Sequence, residues 1–361
     1  MVMVVALSRR QAALLALALA AISVALGVFK LARREYPLTA VDALNRTVVV
    51  PAKPSRVVSV APSITEIVFA LGAQDRLVGV TSFCDYPPQL KKLVESGKIA
   101  VVGGWWDPSL EKIVSLSPDL VLLDSGVGYH AELAKRLEEQ GIPAYALKKG
   151  VTLNEVYENI RAVGELLGCR EKAEELIKSM ERRLSWVREK VAGREKAGVM
   201  YVLWLNPLST AGGGTFLSEI AEVAGGYNVF SDMQGWPNPS LEEVLARKPD
   251  IIVITAGMMK EKPEDILEKL KGDPVWKLVP AVAEGRVYFI SGQAENAFLR
   301  PGPRLAEAAE LLAKMVHPEA FGVKLPLVIG DDYSRYITQL GGELSYRLWL
   351  HVPAVMATAG T

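Results

Sequence analysis

The chain has 361 residues, half of them apolar, with Lys plus Arg and Asp plus Glu balanced at 41 each. That length predicts two packed units with accessory segments, and the balanced charge, without a long run of one sign in the body, excludes a nucleic-acid or polyanion partner. The two cysteines, Cys84 and Cys169, stand far apart without CxxC spacing or paired histidines, which argues against a zinc site or a disulfide framework and predicts free thiols.

In chain order, the first feature is the uncharged stretch Ala12 to Phe29, bounded by Arg9 and Arg10 before it and Lys30, Arg33 and Arg34 after it. It is about the minimum length for crossing a bilayer and reads as a membrane-targeting segment, with residues 1–35 as a signal or anchor. No Ala-x-Ala box precedes Lys30, which favours a retained anchor over a cleaved signal peptide. Ser8-Arg9-Arg10 bears a partial resemblance to a twin-arginine export signal, and no cysteine nearby is placed to accept a lipid.

Residues 47–150 alternate strand and helix. Arg56 to Val60 predicts a buried strand, followed by a helix from Ala61 to Leu71 with Ser63 and Glu66 spaced as a capping box and Gly72 as its stop. Strands over 77–80, 119–123 and 144–147 alternate with helices over 110–116 and 131–140, a pattern that predicts a parallel sheet covered on both faces. Residues 151–192 differ in kind: apolar positions from Ile160 to Leu184 recur at three-and-four spacing, interrupted only at Gly164 and Gly168, and predict one long or once-broken linking helix. Alternation resumes over 193–321, and residues 322–361 form an extension without an assigned role. Its Leu344 to Met356 stretch is interrupted by Arg347 and His351, too much for a membrane span.

The second α/β unit repeats the first in letters. Pro108-Ser109-Leu110-Glu111 with Ser117-Pro118-Asp119 recurs as Pro239-Ser240-Leu241-Glu242 with Lys248-Pro249-Asp250, and a tryptophan, Trp105 or Trp236, stands six positions before each glutamate. A duplicated helix start, capped by Asp107 or Asn238, accounts for most of this repeat. The tryptophans fall outside it, on Gly- and Pro-rich loops.

Large aromatics at matching places in two lobes suit a cleft that grips a broad, partly apolar ligand. Trp105, Trp106 and Trp236 are the candidate anchors, with Phe83, Tyr86 and Phe298 as neighbours; capping of the lobe cores is the alternative role for any one ring. Glu111 and Glu242 are either helix-start carboxylates or a two-pronged docking surface for arginines of a partner. Gly212-Gly213-Gly214-Thr215 lacks the lysine of a phosphate loop and reads as a tight strand-to-helix turn. His130, His317 and His351 are scattered, His130 reads as a surface histidine opening a helix, and no nucleophile or metal motif is present, so no enzyme is expected.

Arg56-Val57-Val58-Ser59-Val60-Ala61-Pro62-Ser63-Ile64-Thr65-Glu66, Cys84-Asp85-Tyr86-Pro87-Pro88, the two Pro-Ser-Leu-Glu helices, Trp236-Pro237 and Arg300-Pro301-Gly302-Pro303-Arg304 together resemble the cobalamin and iron-chelate binding proteins of ABC importers. The resemblance spans roughly residues 48–321. It implies an α/β fold of two Rossmann-like lobes with parallel sheets joined by one long backbone helix, with modest closure on ligand. It also implies an extracytoplasmic, monomeric protein without a cofactor, partnered by a permease dimer and its cytoplasmic ATPase, which Glu111 and Glu242 would engage. Cobalamin-binding members carry aromatics at the positions of Phe83, Trp105 and Trp236, which makes cobalamin or a related corrinoid the first ligand expectation. Tyr86 keeps haem open, and Arg300 and Arg304 keep a ferric siderophore open. A chelatase-like enzyme on the same two-lobed plan is the expectation from another class, and a non-transporting sensor or scaffold is a third.

Overall fold

The computed structural model describes residues 36–340 except Met258 and Lys260, so the apolar stretch 12–29 and the tail stretch 344–356 lie outside the described residues. A hairpin of β1 (Leu38–Val41) and β2 (Thr47–Val50) opens the described chain. The first lobe follows as β3 (Val57–Ser59), α1 (Pro62–Ala70), β4 (Leu77–Val80), α2 (Pro88–Glu95), β5 (Ala100–Val101), α3 (Leu110–Ser115), β6 (Leu120–Asp124), α4 (Gly128–Glu139) and β7 (Ala144–Leu147). Its five strands pair in parallel in the order β5-β4-β3-β6-β7. Every residue of β3, β6 and β7 is buried, as continuous Val and Leu runs require when helices cover both faces.

Two helices link the lobes. α5 (Leu153–Leu166) is capped by Thr152, and α6 (Arg170–Val191) is 22 residues long. Of the two forms expected for 153–191, one long helix or one broken once, the chain takes the second: it breaks at Gly168, whose φ of 60° reverses the chain so that α5 folds back onto α6. Gly164 does not interrupt α5; a Cβ there would meet Ala173 of α6, so the glycine lets the two helices approach.

The second lobe comprises β8 (Ala197–Val202), β9 (Trp204–Leu205), β10 (Leu208–Ser209), α7 (Phe216–Val223), β11 (Gly226–Asn228), α8 (Leu241–Arg247), β12 (Ile251–Thr255), α9 (Pro263–Gly272), β13 (Val287–Ile290), α10 (Gly292–Leu299), α11 (Leu305–Val316) and β14 (Val328–Ile329). Its parallel sheet has the order β11-β8-β12-β13-β14, so the first part of the extension, residues 328–329, supplies an edge strand. α6 packs along α11 and α7, burying Leu176, Ile177, Met180, Leu184 and Val187 at helical spacing.

The repeat is structural, although not quite as expected. Ser109 and Ser240, rather than Asp107 and Asn238, cap α3 and α8. Ser117 and Lys248 take matching left-handed conformations (φ 45° and 49°) just after those helices. Asp119 then accepts from the Arg56 backbone N–H at 3.0 Å, and Asp250 from that of Gly198 at 2.6 Å, so each Pro-Asp pair fastens the start of its lobe's first strand.

The expected capping box of α1 does not form. α1 begins on Ala61 with Pro62 in its first turn and no side-chain cap, and Glu66 is buried in a contact between lobes. Its oxygens accept from Arg304 Nε at 2.8 Å, Arg304 Nη2 at 2.6 Å and Arg300 Nη1 at 3.0 Å. The Arg304 guanidinium also lies 3.9 Å over the Tyr86 ring. A second buried network ties residues 333–338 down: Arg183 of α6 and Lys314 pair with Glu310, Glu310 accepts from the Thr338 N–H, and Tyr333 donates to Glu307 at 2.6 Å.

Breaking a buried ion pair by removing one partner costs about 3–5 kcal/mol, because the survivor is left charged and dry. Glu66→Ala is accordingly expected to lower the unfolding free energy by that much, read from the shift of the urea midpoint in equilibrium unfolding, whereas breaking an exposed pair such as Lys91 with Glu95 is expected to cost under ~1 kcal/mol.

Candidate functional site

In open parallel sheets, ligands sit beyond the carboxyl ends of the strands, at the point where strand order reverses. Those points lie between β3 and β6 in the first lobe and between β8 and β12 in the second. α10 starts at the carboxyl end of β13, and its Asn296 donates to Asp85 at 3.1 Å in the loop after β4. Arg300 donates to Asp85 at 2.6 Å and to the Phe83 carbonyl at 3.2 Å. These contacts tie the helix that leaves the carboxyl end of β13 to the loop that leaves the carboxyl end of β4, and so join the two lobes at that edge.

The aromatic candidates divide. Phe83 (49% exposed) and Trp106 (59%) present rings on the first lobe, and Trp236 (45%) presents one on the second. Trp105 is half-buried behind Trp106, with ring centroids 4.4 Å apart and planes tilted by 36°. Three other candidates are corrected. Phe298 is fully buried in the core, because it lies on the inward side of α10. Tyr86 is also buried, with its ring covered by Arg304. Arg300 is committed to Glu66, Asp85 and the Phe83 carbonyl, so it joins the lobes instead of facing a ligand.

Trp204 was missed because it falls at the end of an apolar run that reads simply as strand. The chain turns there into the β9–β10 hairpin, leaving the ring 39% exposed with its indole N–H donated to the Asn206 carbonyl at 2.8 Å. This hairpin is fastened to the Trp236 loop: Thr210 N–H donates to the Pro237 carbonyl and Asn238 to the Leu208 carbonyl, at 3.0 and 2.8 Å. The Asn-Pro pair after Trp204 was the available signal for a turn.

The glycine cluster explains how Trp236 is held. Gly212 and Gly213 exchange backbone hydrogen bonds with Met233 and Gly235, and a Cβ on either glycine would run into the Met233 or Ser231 carbonyl. Gly214 has a φ of 69°, and Thr215 caps α7. The predicted tight turn is therefore also a docking strip for the tryptophan loop, whose ring packs edge-on against Phe216 at 6.1 Å.

His130 is fully buried, contrary to its expected surface position. Burial also pushes its pKa down, so it is neutral, and it pushes the neighbouring Asp124 carboxyl up. Cys84 is a buried thiol between Thr65 and Thr81, with its pKa raised by burial, and Cys169 is likewise free. Glu295 is buried under the Gly257 N–H, which it accepts at 2.8 Å, and desolvation raises its pKa to about 7. Among the described residues, no group of three or more His, Cys, Asp or Glu side chains is placed to hold a metal ion.

Glu111 and Glu242 both project from the first turns of α3 and α8, fully exposed. The Ser109 hydroxyl donates to Glu111 at 2.9 Å and lowers its pKa, and the backbone N–H of Glu242, then Ser240, does the same for Glu242. Both are anionic at neutral pH. The two sites differ in one respect: α8 has a complete capping box through Glu243, whereas the equivalent position of α3 is Lys112.

Comparison with known proteins places this architecture. The model of the periplasmic binding protein family matches residues 57–294, and the chain belongs to that family. It is 34% identical over 291 residues to an uncharacterized ABC transporter substrate-binding lipoprotein, YvrC, of Bacillus subtilis (strain 168), covering 79% of this chain and 87% of the relative. It is 30% identical over 295 residues to a vitamin B12-binding protein of Yersinia pseudotuberculosis serotype O:1b, covering 81% and 95%. The solved periplasmic haem-binding protein RhuT of Roseiflexus sp. RS-1 aligns with a TM-score of 0.63 and 26% identity, covering 74% of this chain and 99% of that one. The protein is thus an extracytoplasmic substrate-binding protein of the ABC-transporter kind, in a family of binding proteins that work with a permease and an ATPase.

Gly213→Ala is expected to push the 231–235 segment away and cost about 1–3 kcal/mol, the usual range for inserting a methyl into a packed contact. Thermal melting would show the loss, and a red shift of tryptophan emission would report the freed Trp236 ring.

Proposed function

We propose that this protein captures cobalamin or a related corrinoid between its lobes and delivers it to an ABC permease, docking through Glu111 and Glu242. One observation carries the reading: each lobe presents exposed aromatic rings, Trp106 and Phe83 on one, Trp236 and Trp204 on the other. A corrin is broad and partly apolar, so each ring that covers it removes substantial area from water with little side-chain entropy lost. In this arrangement Trp106 meets one face of the ligand with Trp105 behind it, and Trp236 meets the other.

Two further observations support a corrinoid over the other chelates. A haem reading relies on Tyr86 as iron ligand, and that side chain is buried beneath Arg304. A siderophore reading relies on Arg300 and Arg304 as cations for an anionic ligand, and both are already paired with Glu66. The vitamin B12-binding relatives point the same way. Arg300 and Arg304 also brace the lobes, so ligand-induced closure would be a small rotation about the linking helices. The exposed carboxylates of Glu111 and Glu242, one per lobe, suit register-setting contacts with permease arginines, as charged rim groups do.

Calorimetric titration of residues 36–361 with cobalamin is expected to give one-to-one binding. Trp106→Ala and Trp236→Ala should each weaken it by roughly 5- to 30-fold, the loss of an aromatic contact worth about 1–2 kcal/mol. Heat only with haem or a ferric chelate would replace the ligand within the same family. Glu111→Ala with Glu242→Ala should leave this affinity intact and abolish uptake in cells carrying the cognate transporter; undiminished uptake would remove the docking assignment.

A further inference from the structure

His130 sits in α4, out of reach of any ligand, yet its ring joins two loops of the cleft. Nε2 lies 2.8 Å from the Trp105 carbonyl, and Nδ1 lies 3.2 Å from the Asp124 backbone nitrogen and 3.1 Å from the Asp124 carbonyl. The Trp105 and Asp124 carbonyls can both only accept and a neutral ring has one N–H, so the proton is assigned to Nε2, at the shorter contact, and Nδ1 accepts from the Asp124 N–H. β5 and β6 are not neighbours in the sheet, since β4 and β3 lie between them. The ring therefore spans from the loop after β5 to the end of β6, where sheet pairing provides no direct connection. The 103–108 loop is otherwise held by its own Gly103 to Pro108 bridge and by the Ser82 N–H, which donates to the Gly103 carbonyl at 2.9 Å.

We infer that His130 is a positioning residue for the ligand cleft: its neutral imidazole, protonated on Nε2, pins the Trp105 carbonyl and so sets the place of the Trp105–Trp106 ring pair. This rests on the reading of that pair as one wall of the corrinoid site. Within the fold the ring is enclosed, and the charged side chain facing it is that of Asp124, which Lys149 in turn influences; α3 and β7, also packed on α4, bring no charge to bear on it. The clamp needs a donor of the length of Nε2, which glutamine reproduces and leucine does not.

The test compares His130→Gln and His130→Leu with the unaltered protein in two measurements. Hydrogen–deuterium exchange of the peptide covering residues 102–109 is read first, without ligand. Exchange should rise in His130→Leu and return close to the original in His130→Gln. Titration with cobalamin is read second: His130→Leu should weaken binding by about tenfold, the scale of one net hydrogen bond, and His130→Gln should restore it to within about twofold. Equal behaviour of the two variants, in either measurement, would overturn the inference by showing that only volume matters at this position. Exchange that rises in His130→Leu while cobalamin affinity stays unchanged would overturn it as well, since the loop would then move without consequence for the site. If the unaltered protein does not bind cobalamin, the ligand reading fails by itself, and the ligand-free exchange still decides whether His130 holds the loop.

Discussion

The carboxylate of Glu66 is the contact on which the arrangement of the lobes depends. It rises from the first helix of one lobe into a buried site where two arginines of the other lobe converge on it, and the carboxylate-to-Arg304 pair is two-pronged. Bidentate geometry fixes orientation as well as distance, and Tyr86 beneath the Arg304 guanidinium restricts it further. Such a pair contributes little net stability relative to apolar packing, because both ions lose their water. What it does is specify how two otherwise similar α/β units meet. From that junction Arg300 reaches Asp85 and the Phe83 carbonyl, so the same few residues that join the lobes also hold the loop that carries the exposed Phe83 ring.

Much of the fold was legible in the sequence, for a physical reason. Parallel strands buried on both faces leave continuous apolar runs, such as Leu120 to Leu123 and Ile251 to Ile254, and the duplicated Pro-Ser-Leu-Glu and Pro-Asp letters mark the helix and turn that lead into β6 in one lobe and β12 in the other. Less legible was any residue whose partner lies far along the chain. Ser63 and Glu66 have the spacing of a local cap, but Pro62 already starts the helix, and a carboxylate that can find two arginines more than two hundred residues away does so. Tyr86, Phe298 and Arg300 were grouped with the cleft by their place in motifs. Sequence position alone could not tell which side of a loop or helix each would face. The buried role of His130 left no local trace at all.

The two lobes also show how a duplicated plan diverges. Both present a glutamate in the first turn of a serine-capped helix, and both serines bond that glutamate, yet only α8 completes a capping box, because Glu243 stands where α3 has Lys112. Both hold a tryptophan loop at the carboxyl edge of the sheet. In the first lobe the loop is pinned by a histidine from a neighbouring helix, and in the second it is pressed against a strip of glycines. Equivalent rings are thus placed by unrelated means, which shows that the position of the ring, rather than the manner of holding it, is what the two halves share.

The exposed rings bear on how such a protein acquires a new cargo. Trp106, Phe83, Trp204 and Trp236 stand on loops whose fastening is largely through backbone atoms and through neighbours behind them. If they line the site as proposed, replacing one of these side chains changes the surface offered to a ligand while leaving intact the ion pairs, strand runs and glycine contacts that make the frame. Selection, natural or in a laboratory library, can therefore rewrite preference ring by ring without first finding a new scaffold.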